Sequence, residues 1–502
     1  MGAAGDPGTR SMGPQPPEVE RGVGIEVYLS RSPGVGGRLK SLPEDFLVEE
    51  LSLPPPRVEG GEWVAARVRS RNWETNRLVR ELSRAMGISR KRIQFAGTKD
   101  KRGVKVQMMS FRASEEQVRR VSLGDFEVLD TYPSDRPVEL GQLLGNRFVI
   151  RLRGAQAVPG ASREPPISGG EGVSGHREES PTEDQGLGES SGELRAALDA
   201  VTSELRAAGG FPNFFGIQRF GALRPVTHTI GKLMVQGNLE GAVMTYLGRP
   251  MEAEEEEARA ARARLEEEWR AAACGIRGGG AEGCVESGGV KERVFGEALK
   301  YFPKRLSFER TLLQHLHNHP GDWAGALRRL PLNLLMMFVH AYQAQLFNRV
   351  LSRRILGGLP LREPVVGDIV LPADAHGRPD HDRYILVEEH NLERARRRAR
   401  EGRAFVSGIL FGTETPFAEG RMGEIERAVV AEEGLRPQDF IIPEIPEASS
   451  KGTRREVLVP FRPGEPEIVL EPDAVLFRFT LPRGCYATAL MREYMKGEVL
   501  SY

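Results

Sequence analysis

Strand-like sequence near both ends of the chain, separated by a long helical stretch, most limits the folds open to it. Alternating apolar residues typical of strands run through residues 146–153 and return in residues 475–481. Between these segments apolar residues recur at helical spacing, and residues 332–356 are apolar almost all round, as expected of a buried helix. A sheet that is interrupted and then resumed predicts one domain with a second domain inserted into it.

We therefore predict an α+β fold in which a mostly antiparallel sheet carries an inserted, largely helical domain. A chain of 502 residues is also long enough for two or more domains. The Gly-, Ser-, Glu- and Pro-rich residues 155–192 are expected to form a mobile insertion. The predicted division is a disordered tail at 1–22, the first part of the sheet domain at 23–212, the inserted domain at 213–456 and the return to the sheet at 457–502.

The composition favours a cytoplasmic protein. No run of 18 apolar residues suggests a membrane span, and the Gly- and Pro-rich start lacks the apolar core of a signal peptide. The 3 cysteines form neither a disulfide framework nor a paired zinc motif, which indicates a reducing compartment. His315, His317 and His319 lack a matching set of further ligands, so we predict no metal site.

One acidic residue stands out in residues 94–111, which are predicted to form a strand, a tight loop and a second strand. Asp100 lies in the loop, and its neighbours are the cations Lys99, Lys101 and Arg102. The residues alone leave two interpretations open. Asp100 is either a solvated turn residue or a carboxylate kept ionised by cations and available as a nucleophile or base.

Charge is unevenly distributed along the chain, although its formal net charge is 0. The segment from Arg67 to Arg120 has 16 basic and 5 acidic residues, and the difference of 16 minus 5 is +11. A local excess of this sign suits a polyanion such as RNA. The alternative is a solvated charged surface.

A second segment that could contact RNA is the aromatic run at residues 211–221, Phe-Pro-Asn-Phe-Phe-Gly-Ile-Gln-Arg-Phe-Gly. Four phenylalanines in eleven residues fit neither a regular strand nor a helix. They could form a packed corner, or they could present Gln218 and Arg219 to RNA.

Six stretches, taken together and in order, resemble the TruD family of tRNA pseudouridine synthases. They are LKSLPEDF at 39–46, FAGTKDK at 95–101, GNRF at 145–148, PNFFGIQRFG at 212–221, AYQAQLFN at 341–348 and YATALMRE at 486–493. Two departures are visible. Residues 155–192 and 250–290 are longer than a minimal member would need, and Phe214 occupies a position where the family commonly has Tyr.

The resemblance implies a pseudouridine synthase catalytic domain with an inserted TRUD domain. It also implies the reaction, in which uridine 13 in the D arm of tRNA is isomerised to pseudouridine. The isomerisation oxidises nothing and transfers no group from outside, so we expect no cofactor and no metal. The implied partner is tRNA, with no membrane.

The same resemblance assigns roles to individual residues. Asp100 matches the catalytic Asp of the family, Lys40 an active-site Lys, and Asn146 and Phe148 lie in a motif near the site. Lys40 is the favoured cationic partner of Asp100, and Phe148 is either a platform for the flipped base or a core residue. The candidates for RNA contact are Lys99, Lys101, Arg102, Gln218, Arg219 and Arg492.

Two other functions remain open from the sequence. The first is an RNA-binding or chaperone protein of this fold that has lost catalysis. The second is a nucleoside-cleaving hydrolase, which normally requires a second catalytic carboxylate. The candidates for that carboxylate are Glu44, Asp45 and Glu50.

Overall fold

The computed structural model describes residues 14–99, 102–139, 141–157, 183–274 and 288–498. The backbone divides into two compact units. Unit 1 contains Met1–Pro16, Tyr28–Asn213 and Val459–Tyr502, and unit 2 contains Pro17–Val27 and Phe214–Leu458. The sequence placed the corresponding divisions after residues 212 and 456, and it did not group residues 17–27 with the inserted segment.

Fourteen strands are present in the part of the chain that the structure describes. They are β1 (Phe46–Ser52), β2 (Trp63–Arg71), β3 (Ile93–Phe95), β4 (Val104–Phe111), β5 (Phe126–Ser134), β6 (Leu143–Arg153), β7 (Gly210–Pro212), β8 (Ile369–Pro372), β9 (Ile385–Leu386), β10 (Ala404–Leu410), β11 (Thr453–Glu456), β12 (Leu458–Pro460), β13 (Glu467–Glu471) and β14 (Ala474–Pro482).

The same residues contain fourteen α-helices. They are α1 (Glu18–Gly22), α2 (Thr75–Met86), α3 (Glu115–Arg119), α4 (Glu183–Ala208), α5 (Thr227–Val235), α6 (Leu239–Leu247), α7 (Glu256–Cys274), α8 (Gly288–Tyr301), α9 (Ser307–Asn318), α10 (Trp323–Arg328), α11 (Leu332–Leu356), α12 (Leu392–Arg400), α13 (Gly420–Glu432) and α14 (Ala487–Met495).

The main sheet of unit 1 has the strand order β13-β14-β6-β1-β4-β2-β5, with β3 also paired to β4. Its pairs are antiparallel except for β1 with β4, which is parallel. The predicted α+β fold with a mostly antiparallel sheet is therefore confirmed. Strand β14 pairs with β6 from Ala474 opposite Arg153 to Pro482 opposite Gly145, so strands from both ends of the chain share one sheet.

Helix α2 covers one part of this sheet, because Leu78 and Leu82 pack with Val68 and Met109 in one apolar cluster. The helix ends at Gly87, whose φ is 65°, as the sequence predicts. Its N-terminus differs from the prediction, which gave the cap to Asn72 or Thr75. The carboxylate of Glu74 instead accepts hydrogen bonds from the Asn76 and Arg77 N–H groups.

Two predicted irregular segments contain helix. Residues 18–22 of the predicted disordered tail form α1, and the Gln345 Nε2 group donates a hydrogen bond to the Gly22 carbonyl; residues 1–13 lie outside the described part. Helix α4 begins at Glu183, whereas residues up to 192 were expected to be a mobile insertion. Residues 158–182 of that insertion and residues 275–287 of the second one also lie outside the described part.

Unit 2 is organised around α11, whose bounds are those the sequence predicts. Phe338, Leu346 and Val350 of this helix are buried in one large apolar cluster with residues of the surrounding helices. A four-stranded sheet of order β11-β10-β8-β9 completes the unit. Among the described residues, no helix is both long enough and apolar enough to cross a membrane.

Candidate active site

Asp100 and Lys101 lie outside the described residues, but both ends of their loop are held by α2 and the residues before it. On one side the Lys99 N–H donates a hydrogen bond to the Thr75 hydroxyl over 2.9 Å. On the other side the Gly103 N–H donates to Asn72 Oδ1 over 3.2 Å, and the Asn72 N–H donates to the Gly103 carbonyl over 3.0 Å. These bonds fix the chain on either side of Asp100.

Gly103 also lies directly against the start of β1. Its φ is +124°, and a Cβ at this position would lie 2.5 Å from the Phe46 carbonyl oxygen, so only glycine fits. Strand β4 begins at the next residue and runs parallel to β1, with Val104 opposite Leu47. The end of the Asp100 loop is thus placed against Phe46 by the register of the sheet.

The Phe46 ring contacts two of the residues that the sequence assigns to the site. Its centroid lies 4.4 Å from the Lys40 Nζ atom, a cation–π contact, and 6.0 Å from the centroid of the Phe148 ring. Lys40 is buried and has a φ of 54°, a left-handed conformation that is uncommon for a non-glycine residue. Lys40 and Phe148 therefore meet at one ring, beside the end of the loop.

Phe148 lies in the middle of the sheet, between β1 and β14. It faces Val48 on one neighbour and Phe479 on the other, and it stacks on the Phe479 ring at a centroid distance of 5.5 Å. Its side chain is only 7% exposed. Phe148 is thus a core residue whose ring also borders the cluster formed by Lys40 and Phe46.

Asn146 occupies the same strand two residues earlier, so it points to the same face of the sheet as Phe148. It lies opposite Glu50 of β1. Its Oδ1 atom is buried and has no hydrogen-bond partner among the described residues. A buried polar atom without a partner is uncommon in proteins, and a catalytic role is one of its explanations.

Lys99, a candidate for RNA contact, points into the protein. Its ammonium lies 2.6 Å from the Glu50 carboxylate, and the exposed fractions of the two side chains are 6% and 1%. The second Glu50 oxygen accepts a hydrogen bond from the Met108 N–H over 3.4 Å. This placement favours a structural role for Lys99 over contact with RNA.

The carboxylates that a hydrolase could use are all paired with cations. Glu44 lies 2.7 Å from Arg71, and Glu50 is held by Lys99. Burial alone would raise the pKa of Asp45, but hydrogen bonds from Arg153 and from the Leu42 N–H outweigh it and lower the pKa below its ordinary value. Asp45 therefore stays ionised near neutral pH and is poorly suited to act as a general acid.

Much of the positive charge predicted for residues 67–120 is neutralised by carboxylates from outside or inside that segment. Arg67 pairs with Glu49, and the distance from Arg69 to Glu127 is 2.9 Å. Arg102, which is exposed, makes no ion pair among the described residues. These ion pairs offset part of the net charge of +11 counted for residues 67–120. The positive potential of this surface therefore comes mainly from the cations that remain unpaired.

The aromatic run at 211–221 crosses from unit 1 to unit 2 after Asn213, and its phenylalanines are buried. Phe211, Phe214 and Phe220 are fully buried. In unit 2 the Arg219 guanidinium lies 5.9 Å from the Phe215 ring, and its Nε atom is buried without a hydrogen-bond partner among the described residues. Gln218 and Arg219 are both partly exposed, so the rings form a base that presents them to solvent.

Arg492 is placed differently from the other candidates for RNA contact. Its side chain is 2% exposed, and its guanidinium lies 3.0 Å from the Glu493 carboxylate and 4.2 Å from the Tyr28 ring centroid. Glu493 also accepts hydrogen bonds from the N–H groups of Leu29 and Ser30. This burial favours a structural role for Arg492 over contact with RNA, and Arg492 helps to hold residues 28–30 against α14.

Of the histidines near residue 317, His315 has partners within the protein. His315 Nε2 lies 2.8 Å from the Asp322 carboxylate, and the Arg329 Nε group donates to His315 Nδ1 over 3.3 Å. No group of three or more potential ligands was found in the residues that the structure describes.

Sequence reasoning missed two residues of this face of the sheet. Glu50 was considered only as a carboxylate for a hydrolase, although it anchors Lys99. Gln107 of β4 is 2% exposed, and its Nε2 atom has no hydrogen-bond partner among the described residues. The one available signal was an amide between the apolar residues of a buried strand.

Comparisons with known proteins identify the family of the chain. The family model described as tRNA pseudouridine synthase D (TruD) matches residues 22–164, 185–277 and 287–494. The chain belongs to the TruD family. A Methanosarcina mazei relative named as a tRNA pseudouridine synthase D is 38% identical over 488 residues, which cover 96% of this chain and 98% of the relative.

Other members of the TruD family match over similar lengths. A tRNA pseudouridine synthase D of Thermococcus onnurineus is 37% identical over 93% of this chain and 97% of its own. A crystal structure of the M. mazei TruD protein superposes with a TM-score of 0.74 at 36% identity, covering 97% of this chain and 99% of that one. The predicted family and fold are therefore confirmed, and tRNA pseudouridine synthase activity follows at the level of the family.

Proposed function

We propose that the protein isomerises uridine 13 in the D arm of tRNA to pseudouridine, with the carboxylate of Asp100 as its catalytic group. One observation carries this proposal. Gly103, three residues after Asp100, lies against Phe46, and the Phe46 ring contacts both Lys40 and Phe148. The loop therefore ends beside a cation and an aromatic ring, the two groups that a carboxylate acting on a flipped base requires.

The reaction breaks the N1–C1′ bond of uridine, turns the base, and joins C5 to C1′. Bond cleavage builds positive character at C1′, which a nearby carboxylate stabilises. The Asp100 carboxylate promotes this cleavage in one of two ways: it attacks C1′ as a nucleophile, or it removes a proton from the sugar as a base. The base is rejoined to the same sugar. It loses the proton on C5 to solvent and gains a proton on N1, so nothing is oxidised and the reaction requires no cofactor.

Lys40 and Phe148 support this chemistry in different ways. We expect the Lys40 ammonium to favour the ionised form of Asp100, because an opposite charge within a few ångströms lowers the pKa of a carboxyl group. Phe148 provides an apolar surface on which the displaced base stacks. Asn146, two residues away on the same face, supplies a hydrogen-bonding group at the edge of this surface.

Substrate RNA is held by cations and amides outside the catalytic cluster. The candidate in unit 1 is Arg102, which is exposed and follows Asp100 closely in the sequence. The separate candidates in unit 2 are Gln218 and Arg219, which are partly exposed. Lys101, next to Asp100, remains a candidate from its position in the sequence. The reduced cysteines expected from the composition fit a protein that acts in the cytoplasm.

The decisive experiment compares Asp100→Asn with Asp125→Asn. Both changes remove one carboxylate charge, but Asp125 is an exposed residue outside the loop of Asp100, and its φ of 58° is tolerated by Asn. We expect Asp100→Asn to bind unmodified tRNA normally and to form no pseudouridine, as measured by carbodiimide treatment and primer extension. Asp125→Asn should retain wild-type turnover.

Product analysis separates the alternatives. Pseudouridine at another position would limit the proposal to the reaction class, and free uracil would indicate a hydrolase. Binding of tRNA without any product would indicate a protein that has lost catalysis. Wild-type turnover by Asp100→Asn would reject the assignment of the carboxylate.

A further inference from the structure

Two amide side chains on the same face of the main sheet each have one buried atom without a hydrogen-bond partner among the described residues. Gln107 Nε2 and Asn146 Oδ1 are both buried, and neither atom is within hydrogen-bonding distance of a partner in the described part of the chain. Most buried polar atoms in folded proteins are paired, because an unpaired one has lost water and gained nothing. The unpaired atom of Gln107 is a donor, and the unpaired atom of Asn146 is an acceptor.

The register of the sheet places the two amides in one row. Asn146 of β6 lies opposite Glu50 of β1, and Val106 of β4 lies opposite Glu49, so Gln107 is level with Glu50. Asn146 and Gln107 lie at the two ends of this row, with Glu50 between them. Their backbones are two strand spacings apart, which is about 9.5 Å. Phe148 lies in the adjacent row, because it is two residues from Asn146 on the same strand.

The other polar groups nearby already have partners within the protein. The Glu50 carboxylate, between the two amides, accepts from the Lys99 ammonium and from the Met108 N–H. Lys105, two residues before Gln107, donates to the Trp73 carbonyl over 2.6 Å. Gln107 Nε2 and Asn146 Oδ1 therefore stay without partners in the part of this face that the structure describes, and the Asn146 residue is partly exposed.

The missing partners match the edge of a uracil base. Uracil offers an N3–H donor flanked by two carbonyl acceptors, whereas cytosine has an acceptor at N3 and an amino donor beside it. We propose that Gln107 donates a hydrogen bond to a uracil carbonyl while Asn146 accepts one from N3–H, so that the pair selects uracil over cytosine. This inference rests on the proposed function, since it assigns a base to the surface beside Phe148.

The first test replaces Gln107 by Leu, a residue of similar size without the amide. A buried amide donor without a partner does not stabilise the folded protein, so we expect an unchanged or higher Tm for Gln107→Leu. The value of kcat/KM for pseudouridine formation should fall roughly 10- to 100-fold, the usual loss for one buried hydrogen bond to a substrate. A lower Tm with wild-type kcat/KM would overturn the inference.

Gln117→Leu is the matched control. The Gln117 Nε2 group donates to the Met86 carbonyl over 2.8 Å, so its amide already has a partner within unit 1. Its loss should lower Tm slightly and leave kcat/KM unchanged. The two variants should thus show opposite patterns, which a general effect of Gln→Leu would not produce.

The second test changes the substrate atom, using tRNA with 2-thiouridine or 4-thiouridine at the target position. Sulfur accepts hydrogen bonds poorly, so one of the two substrates should slow the wild-type enzyme by roughly tenfold. The Gln107→Leu variant should show no further loss with that substrate. Equal losses in wild type and variant with both substrates would overturn the inference.

These outcomes are distinguishable from failure of the proposed function. If the wild type forms no pseudouridine at position 13, the proposed function fails, and binding of tRNA carrying uridine or cytidine at that position still tests the two amides. If pseudouridine forms but Gln107→Leu binds both RNAs and reacts like the wild type, only this inference fails.

Discussion

The ammonium of Lys99 lies 2.6 Å from the carboxylate of Glu50, and both side chains are almost completely buried. This pair joins the residue immediately before Asp100 to the central strand β1. The Lys99 backbone is held independently by Thr75, and Gly103 by Asn72, so the loop is anchored at both ends. A carboxylate that must reach C1′ of a bound nucleotide benefits from such anchors, because small displacements of a reacting group reduce the rate strongly.

The first prediction concerns this ion pair. Glu50→Gln leaves the Lys99 ammonium buried without its counter-charge, and we expect a loss of about 3–5 kcal/mol in the free energy of unfolding, measured with urea. The double variant Glu50→Leu, Lys99→Met removes both charges and should be closer to wild type in stability. Equal stability of the single and double variants would contradict a buried, mutually dependent pair.

Much of the fold was predictable because it depends on local patterns. The bounds of α11 follow from its sequence, which is apolar almost all round, and those of β6 nearly follow from its alternation of apolar and polar residues. The ion pair between Glu50 and Lys99 was not predictable, because Lys99 lies outside the strands and meets β1 only in the folded structure. Individual polar partners leave no periodic signal in a sequence.

Charge shows the same limit of sequence reasoning. The excess of +11 counts the residues of one segment, whereas Glu49 and Glu127, which pair with arginines of that segment, lie outside it. The cap of α2 is a related case. Asn72 and Thr75 have suitable side chains, but both bind the Asp100 loop, and Glu74 caps the helix instead.

The second prediction concerns Gly103. In Gly103→Ala the new Cβ would lie 2.5 Å from the Phe46 carbonyl oxygen at a φ of +124°, so the chain must shift. We expect a loss of about 1–3 kcal/mol in stability, as is usual for strained backbone positions, and a larger proportional loss of kcat than of tRNA affinity. Gly60→Ala is the control, since its φ of 72° is also positive but nothing lies near its Cβ.

The third prediction separates the packing of Phe148 from its use as a base platform. Phe148→Leu and Phe477→Leu each remove a buried ring of the same sheet face, and both should lose about 1–2 kcal/mol of stability. Only Phe148→Leu should also reduce kcat/KM, because Phe477 packs against Tyr494 away from Lys40. Steady-state kinetics at a temperature where both variants stay folded decides the matter. Equal kinetics would leave Phe148 as a core residue alone.

The fourth prediction concerns pH and His228 of unit 2. Burial, reinforced by the positive charges of Arg249 and Lys232, lowers the pKa of His228 to about 4 from its ordinary value of 6.5. The unfolded chain therefore binds a proton that the folded chain does not, and stability falls as the pH drops from about 6.5 towards 4. Between pH 7 and pH 5 this amounts to about 2 kcal/mol.

His228→Phe should abolish this part of the pH dependence while keeping an aromatic ring against Phe220. Urea unfolding at pH 7 and pH 5 measures it, and His390→Gln, at an exposed histidine, serves as the control. A wild-type protein that is equally stable at both pH values, or a His228→Phe variant with the wild-type pH dependence, would contradict the shift.

The fifth prediction uses the ion pairs to decide which cations face tRNA. Arg102 and Arg112 are both exposed, but Arg112 pairs with Glu62, whereas Arg102 makes no ion pair among the described residues. A cation that neutralises an RNA phosphate releases a counterion, so its removal lowers the slope of log Kd against log salt concentration by about 1. We expect this change for Arg102→Gln and none for Arg112→Gln, with tRNA binding measured from low to moderate salt. Identical slopes for the two variants would show that Arg102 lies outside the RNA contact, and a steep loss for Arg112→Gln would show that tRNA displaces Glu62 from its partner.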